Sequence, residues 1–306
     1  MPLVTVIINV RNGEATLREA IDSVLQQTFD DWELLIRDDR STDSSASLVS
    51  SYRDARVHYQ LSPDDAPLGK ARNDAIQYAA GEWIAFLDQD DVWLPRKLEK
   101  QMTLAADDVG LIYGRTIRFY PSGWQRDYDH AHEYSLLPED DLFTRLFTES
   151  CFIAMSSAVF RRSAIEAIGG IPEAIRIIPD YYLYVAVAQR YRARAVQEVV
   201  CRYRMHPDSM SQAMAAAMHR EVLWLIDHWA ADLDPATITL CRKRHYTAIA
   251  LEEMRRPKTF FSGLARLLTQ GSMLSQVMRP FAFLFHVLRR SLRPPYWREL
   301  GSRRSV

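Results

Sequence analysis

Three carboxylates, Asp88, Asp90 and Asp91, follow directly on the apolar run Ile84-Ala85-Phe86-Leu87. Carboxylates this close repel one another once desolvated, and a divalent cation relieves that repulsion. Oxygen ligands of this kind suit Mg²⁺ or Mn²⁺, which leave positions open for phosphate oxygens. An acidic surface loop or a helix N-cap would read the same in isolation, because D-x-D recurs by chance. A second pair, Asp38-Asp39, ends another apolar run, Trp32–Ile36. A carboxylate there can accept hydrogen bonds from a base N–H or from ribose hydroxyls. Asp43, with Ser44 and Ser45 behind it, reads instead as an Asx turn or helix cap. Lys70 and Arg72 could contact a diphosphate or pair with the acidic cluster, with solvated surface charge as the alternative, more so for Lys70. Asp180 follows Ile177-Ile178-Pro179 and opens the aromatic stretch Tyr181-Tyr182-Leu183-Tyr184. A carboxylate at a helix start in apolar surroundings can serve as a general base, or it can simply cap the helix. His206, just before Pro207, could ligate a metal, bind phosphate, or be an ordinary loop histidine.

These residues need elements to position them. Leu3–Val10 reads as a buried strand, and Ala15–Gln27 as a helix with Leu17, Ala20, Ile21, Val24 and Leu25 on one face. Strands are expected at Trp32–Ile36, Val57–Gln60 and Trp83–Leu87. Helices are expected at Ser44–Tyr52, at Leu68–Ala80 with Gly81 as its C′ glycine, and at Pro95–Ala106. This alternation means βαβ units and a mainly parallel, Rossmann-like α/β sheet. The polar clusters Asn9–Glu14, Asp38–Asp43 and Asp88–Asp91 all fall at strand carboxyl ends, where such sheets bind ligands. Further on, Leu111–Tyr120, Ile153–Phe160 and Ala195–Tyr203 read as strands, and Ser163–Ile168 and Asp180–Tyr191 as helices. From Ala213 the pattern is helical and amphipathic.

Charge divides the chain unevenly. Residues 241–306 carry 14 Lys/Arg against 3 Asp/Glu, and residues 1–240 carry 24 against 36. An acidic body with a basic tail points to an anionic partner for the tail, such as a membrane surface or nucleic acid, or to a basic face docked on the body. Arginines interleaved with runs such as Phe281-Ala282-Phe283-Leu284-Phe285 fit an interfacial amphipathic helix; a helical cap or a homodimer face would fit as well. No stretch reaches the ~18–20 apolar residues of a membrane span. Three scattered cysteines, Cys151, Cys201 and Cys241, without CxxC, argue against a disulfide framework and fit a reducing, cytoplasmic setting.

Read in order, the motifs resemble the family 2 glycosyltransferases of the GT-A fold, from about Val4 to about Ser211. The segments that carry the resemblance are Val6-Ile7-Ile8-Asn9-Val10-Arg11-Asn12-Gly13-Glu14, Ser23-Val24-Leu25-Gln26-Gln27-Thr28 and Arg37-Asp38-Asp39-Arg40-Ser41-Thr42-Asp43. They continue with Ala71-Arg72-Asn73, Asp88-Gln89-Asp90-Asp91-Val92-Trp93-Leu94-Pro95, Pro179-Asp180-Tyr181-Tyr182-Leu183-Tyr184 and Tyr203-Arg204-Met205-His206. The resemblance implies a catalytic domain over 1–212, with a nucleotide-binding half at 1–110 and an acceptor half at 111–212, and a basic helical extension over 213–306. It implies that Asp39 binds the base, with Asn9, Arg11, Asn12 and Glu14 of the first turn among the nucleotide-sugar contacts, and that Asp88 reaches the ribose. Asp90 would hold Mn²⁺ or Mg²⁺ with His206 nearby, Asp91 would share the donor tasks, and Asp180 would deprotonate the acceptor. The implied reaction is an inverting transfer from a nucleoside-diphosphate sugar, UDP being the commonest carrier, to a glycan or lipid-linked hydroxyl, with no nucleic-acid partner. Arg40 stands where the family has glycine, Asn9 and Arg11 where it has Pro and Tyr, Pro179 where it has an acid, and Tyr182 and Tyr184 where it has Asp and Trp.

Two other classes compete. A nucleotidyltransferase would carry a Gly-rich basic loop after the first strand, and here the turn has one glycine, Gly13, and an acid, Glu14. A non-catalytic nucleotide-sugar-binding protein would be indifferent to Asp180→Asn. A dehydrogenase is excluded by the absence of G-x-G-x-x-G after that strand.

Overall fold

Strand β1 (Val4–Val10) is almost wholly buried, as are β2 (Trp32–Asp38) and β4 (Trp83–Phe86). Strands apolar on both faces must be covered on both faces, which is the environment of a parallel sheet between helices. β1 pairs in parallel with β2 and β4, and β2 with β3 (Val57–Leu61). The crossovers contain α1 (Leu17–Leu25), α2 (Ser45–Ser50) and α3 (Leu68–Tyr78). α1 buries Leu17, Ala20, Ile21 and Val24, the i, i+3, i+4, i+7 stripe expected of it.

The computed structural model describes residues 1–120, 125–127, 142–149, 151–205 and 215–255, with 259, 260, 262, 264, 266 and 267. The later elements are β5 (Val92–Trp93), α4 (Lys97–Met102), β6 (Val109–Phe119), β7 (Gln125–Asp127), α5 (Leu142–Glu149), β8 (Val159–Arg161), α6 (Arg162–Ala167), α7 (Pro179–Ala188), β9 (Arg192–Arg204), α8 (Ala215–His228) and α9 (Pro235–Met254). The sheet runs β3-β2-β1-β4-β8-β6-β9-β5, with β7 on β6. Beyond β4 it turns mixed: β8 is antiparallel to both β4 and β6, while β9 lies parallel to β6. This is the GT-A architecture, its parallel character concentrated in the N-terminal half.

Three local expectations are corrected. Gly81 is not a left-handed C′ residue: α3 ends at Tyr78 and Ala79 is already extended (ψ 128°). Gly81 is required for a close approach instead, since a Cβ there would lie 2.4 Å from the Thr5 nitrogen. The expected strand Ile153–Phe160 is a 3-10 turn, Met155–Ser157, followed by the short β8. The Pro95–Ala106 helix is limited to α4: past Met102 the backbone tightens to i→i−3 bonds, the Leu104 N–H donating to the Gln101 carbonyl (3.0 Å) and the Ala105 N–H to the Met102 carbonyl (3.2 Å).

The chain forms two compact units, Met1–Ile238 and Thr239–Val306. Within the first, α7 is buried from Tyr181 to Val187, with Tyr184 stacked on Phe160 (5.9 Å between ring centres). Trp229, just past α8, packs against Phe143 and Phe147 of α5 and Tyr182 of α7.

Candidate active site

Because β2, β1 and β4 are parallel neighbours, their carboxyl ends lie on one edge of the sheet. The turn after β1 is joined to the β4 loop by Gln89: the Arg11 N–H donates to its Oε1 (2.9 Å), and its Nε2 donates to the Arg11 carbonyl (3.2 Å). The same turn is tied to the loop after β2. Asn12, in the left-handed region (φ 51°), accepts the Thr42 N–H (2.8 Å) and donates its own N–H to Ser41 (2.9 Å). Glu14 accepts the Ser44 N–H (3.0 Å), and its N–H donates to Asp43 (2.9 Å). The Asn12 and Glu14 side chains are thus engaged in holding two loops together. Asp43 also accepts the Ser45 N–H, in the Asx geometry its context implied. Arg40 takes the left-handed conformation (φ 62°) at the family's glycine position and donates to the Pro63 carbonyl (3.1 Å). Arg11 forms an ion pair with Asp65 at the surface.

At the bottom of this edge three buried polar atoms stand without a well-formed hydrogen bond: Asn9 Nδ2, Arg37 Nε and Asp39 Oδ1. Asn9 and Arg37 are register partners, and Arg37 Nε lies 3.8 Å from Asp39 Oδ1. Burial pushes the Asp39 carboxyl up to about 6, against the opposing pull of Arg37. Arg37 and the Asn9 side chain both hold the carboxyl down against that push, so the three form one loosely paired polar cluster at the ends of β1 and β2. Asp38 beside it is satisfied, accepting from the Ser41 N–H (2.7 Å) and the Tyr59 hydroxyl (2.8 Å).

The acidic cluster sits at the end of β4. Asp88 accepts from Arg72 Nη2 (3.1 Å) and keeps 39% of its side-chain surface accessible. Protein surrounds it otherwise, and this desolvation pushes its carboxyl up to about 6, Arg72 opposing and the charges of Asp90 and Asp180 adding. Asp180 also adds to the upward push that burial gives the Cys151 thiol and the Tyr184 phenol. Asp88, Asp90, Asp180 and Arg72 therefore share one electrostatic neighbourhood. Arg72 is 3% exposed, and its Nη1 is buried without a partner. Asp180 lies in the first turn of α7, with Oδ1 accepting the Tyr181 N–H (2.9 Å); the N-cap is Ile178.

Asp91 has a different surrounding. It is 1% exposed and accepts from the Ser156 hydroxyl (2.6 Å) and the Arg204 N–H (2.9 Å). Ser156 Oγ also accepts the Asp88 N–H (3.0 Å), so the 3-10 turn presents one hydroxyl that holds both ends of the acidic loop. Arg204 donates to the Asp90 carbonyl (2.7 Å) and to Glu19 (2.7 Å). Below the loop, Ser23 accepts the Trp93 N–H (3.1 Å), Gln27 bonds the Leu94 carbonyl (2.9 Å) and the Leu98 N–H (3.0 Å), and Thr28 bonds Glu99 (2.6 Å). The Ser23–Thr28 motif is thus a bracket for the acidic loop. Lys70 is paired with Asp74 (2.7 Å), which also takes Arg37 Nη2 (2.9 Å). His206 lies outside the described residues.

For a divalent cation the donor chemistry fits: Asp88 and Asp90 offer hard oxygens whose mutual repulsion a cation would relieve. Among the described residues no three His, Cys, Asp or Glu side chains form an ion cage. Sequence reasoning missed Ser156, Gln89 and Arg204, whose importance lies in partners far along the chain.

Comparison with known proteins agrees with this geometry. The model described as glycosyl transferase family 2 matches residues 5–169, more than half of the chain. The chain is 28% identical over 229 residues, 72% of its length and 83% of the relative's, to an Escherichia coli protein named UDP-Glc:alpha-D-GlcNAc-diphosphoundecaprenol beta-1,3-glucosyltransferase WfgD. Two solved structures share the fold. One is S. aureus TarS 1-349 in complex with UDP-GlcNAc (TM-score 0.60, 18% identity, 89% of this chain and 74% of that one). The other is the mannosyltransferase PcManGT from Pyrobaculum calidifontis in complex with GDP-Man and Mn²⁺ (TM-score 0.60, 20% identity, 96% and 82%). With its acidic loop, its polar strand ends and this family match in agreement, the chain belongs to glycosyl transferase family 2 and is a glycosyltransferase.

Proposed function

We propose that the chain transfers a hexose from a UDP-sugar to a hydroxyl of a lipid-linked glycan, with inversion, in cell-surface polysaccharide assembly. The observation that carries this reading is the loosely paired polar trio at the ends of β1 and β2. Asp39 Oδ1 offers an acceptor, with Arg37 Nε on one side and Asn9 Nδ2 nearby as donors. Uracil presents the complement, an N–H between two carbonyl oxygens, whereas guanine and cytosine present other orders. The donor class and the lipid-linked acceptor agree with the name of WfgD.

In this reading the acceptor oxygen attacks C1 as the bond from C1 to the β-phosphate oxygen breaks. The hydroxyl proton passes to Asp180, and UDP leaves with the bond's electrons. Mn²⁺ or Mg²⁺, when bound at Asp90 and Asp88, would stabilise the charge on the departing diphosphate. Arg72 Nη1 is a donor for the diphosphate or the sugar. Asn12, Glu14 and Asp91 act through the loops they hold, and Arg11 lines the rim. The acceptor's lipid would place the enzyme at the inner membrane face, with the basic tail as the contact; among the described residues no helix is long and apolar enough to cross a membrane.

Release of UDP from UDP-glucose and UDP-GlcNAc, with GDP-mannose as control, tests the reading in Mn²⁺ and in EDTA. UDP-sugars should turn over in Mn²⁺ and stop in EDTA. Asp180→Asn should lower turnover by about 10²–10⁴ while leaving UDP affinity within about twofold. Preference for GDP-mannose, indifference to EDTA, or full turnover in Asp180→Asn would each overturn a named part of it.

A further inference from the structure

One carboxylate outside the site holds an unusual set of partners. Glu221 of α8 accepts from the N–H groups of three consecutive residues: Arg176 (3.0 Å), Ile177 (3.1 and 2.9 Å to its two oxygens) and Ile178 (3.0 Å). Successive backbone N–H groups turned to one point form an anion-binding concavity, and here a side chain of the same chain fills it. Glu221 begins a stripe that is otherwise apolar, Val222, Leu225, Ile226 and Trp229, and is itself half-buried.

The three residues it holds lead directly into α7. Ile178 is the N-cap and has no side-chain cap of its own. Pro179 follows with no N–H and a ring-fixed φ, and Asp180 is next. Pro179 and the first helical turn make the link from Ile178 to Asp180 stiff, so displacement of 176–178 is passed to the Asp180 carboxylate. The far end of the same loop is fixed from the other side. Asn73 of α3 donates to the Ile171 carbonyl (2.8 Å) and accepts its N–H (2.9 Å). Ile171, Ile175 and Ile178 are buried between the two anchors.

We propose that Glu221 is the positioning residue for Asp180: by gathering the amides of 176–178 it sets the height and direction at which the carboxylate meets the acceptor hydroxyl. This rests on the reading of Asp180 as the base. Loss of the anchor should cost turnover without touching donor affinity, because none of its partners belongs to the strand ends that hold the nucleotide.

The test uses the full chain, UDP-glucose with Mn²⁺ for turnover, UDP with Mn²⁺ for affinity, and amide hydrogen exchange. Glu221→Ala should lower UDP release about 10- to 100-fold, leave the Kd for UDP within about twofold, and speed exchange at 176–181 at least about tenfold while β1 and β4 stay protected. Added acetate, a free carboxylate for the vacated concavity, should restore part of the lost rate. Glu221→Gln, with one acceptor oxygen and no charge, should show the same pattern at smaller size, and it serves where the alanine variant does not fold. Wild-type turnover in both variants would overturn the proposal, as would exchange rising throughout the molecule together with loss of UDP affinity. Asp180→Asn, run in parallel, separates the two readings. If that variant turns over normally, or if the wild type releases no UDP, the base reading fails, and the exchange pattern of Glu221→Gln alone decides whether Glu221 fixes the segment.

Discussion

Asp39 shows what a buried carboxylate costs its own protein. Its carboxyl is raised to about 6 by burial, from an ordinary 3.8. A group raised on folding contributes its full stability below the unfolded value, and that contribution is lost as pH rises through about 6. Asp39→Asn should therefore melt close to the wild type near pH 4 and above it at pH 7.5, by about 1–2 kcal/mol, in ligand-free thermal scans. The same variant should lose uridine binding. In the wild type, uridine affinity should weaken as pH falls below about 6, because the added proton occupies the oxygen that faces the base N–H. A pH-independent uridine affinity would refute this. Asp39 and Asp88 were legible in the sequence because each ends an apolar run. Asn12 and Glu14 share that address but both bond the loop after β2, and no spacing rule distinguishes a side chain facing a ligand from one facing the next loop. Glu221 was illegible for a further reason: its partners lie 43 to 45 residues upstream, and only an acid at the head of an apolar stripe hints at them.

At the scale of elements, the N-terminal βαβ units were readable from period and length, and the departures come from tertiary demands. Gly81 looked like a helix terminator because glycine so often is one; here it lets the chain pass against β1. The two roles predict different tolerances. A left-handed C′ position accepts Asn at little cost, whereas at a 2.4 Å approach to backbone any side chain must displace β1. Gly81→Ala and Gly81→Asn should both destabilise by about 2–3 kcal/mol in denaturant titrations; a neutral Gly81→Asn would restore the terminator role. The Ile153–Phe160 segment is apolar enough for a strand, yet Ser156 and Ser157 are both fully buried, the Ser157 hydroxyl closing the turn on the Ala154 carbonyl and the Ser156 hydroxyl holding Asp91. A buried pair of serines in an apolar run was the available signal for a turn with a task.

For the whole molecule, the contrast between an acidic body and a basic C-terminal stretch is a property of composition that a lipid-facing reaction would use. The Phe281–Phe285 run lies outside the described residues, so its test is made on the full chain. Wild-type protein should float with vesicles containing anionic lipid at low salt and be released at high salt. Replacing Arg289, Arg290 and Arg293 with Glu together should abolish flotation and leave UDP release from UDP-glucose unchanged; undiminished flotation would remove the tail from the interface. The fold also links the two sides of the candidate site through one helix. Arg72 and Asn73 are consecutive on α3: one reaches Asp88, and the other grips the loop that ends at Asp180. They work as the two arms of a calliper whose gap is set by a single helix. A redesign aimed at new acceptors can therefore recut the walls beyond Pro179 and keep that gauge untouched.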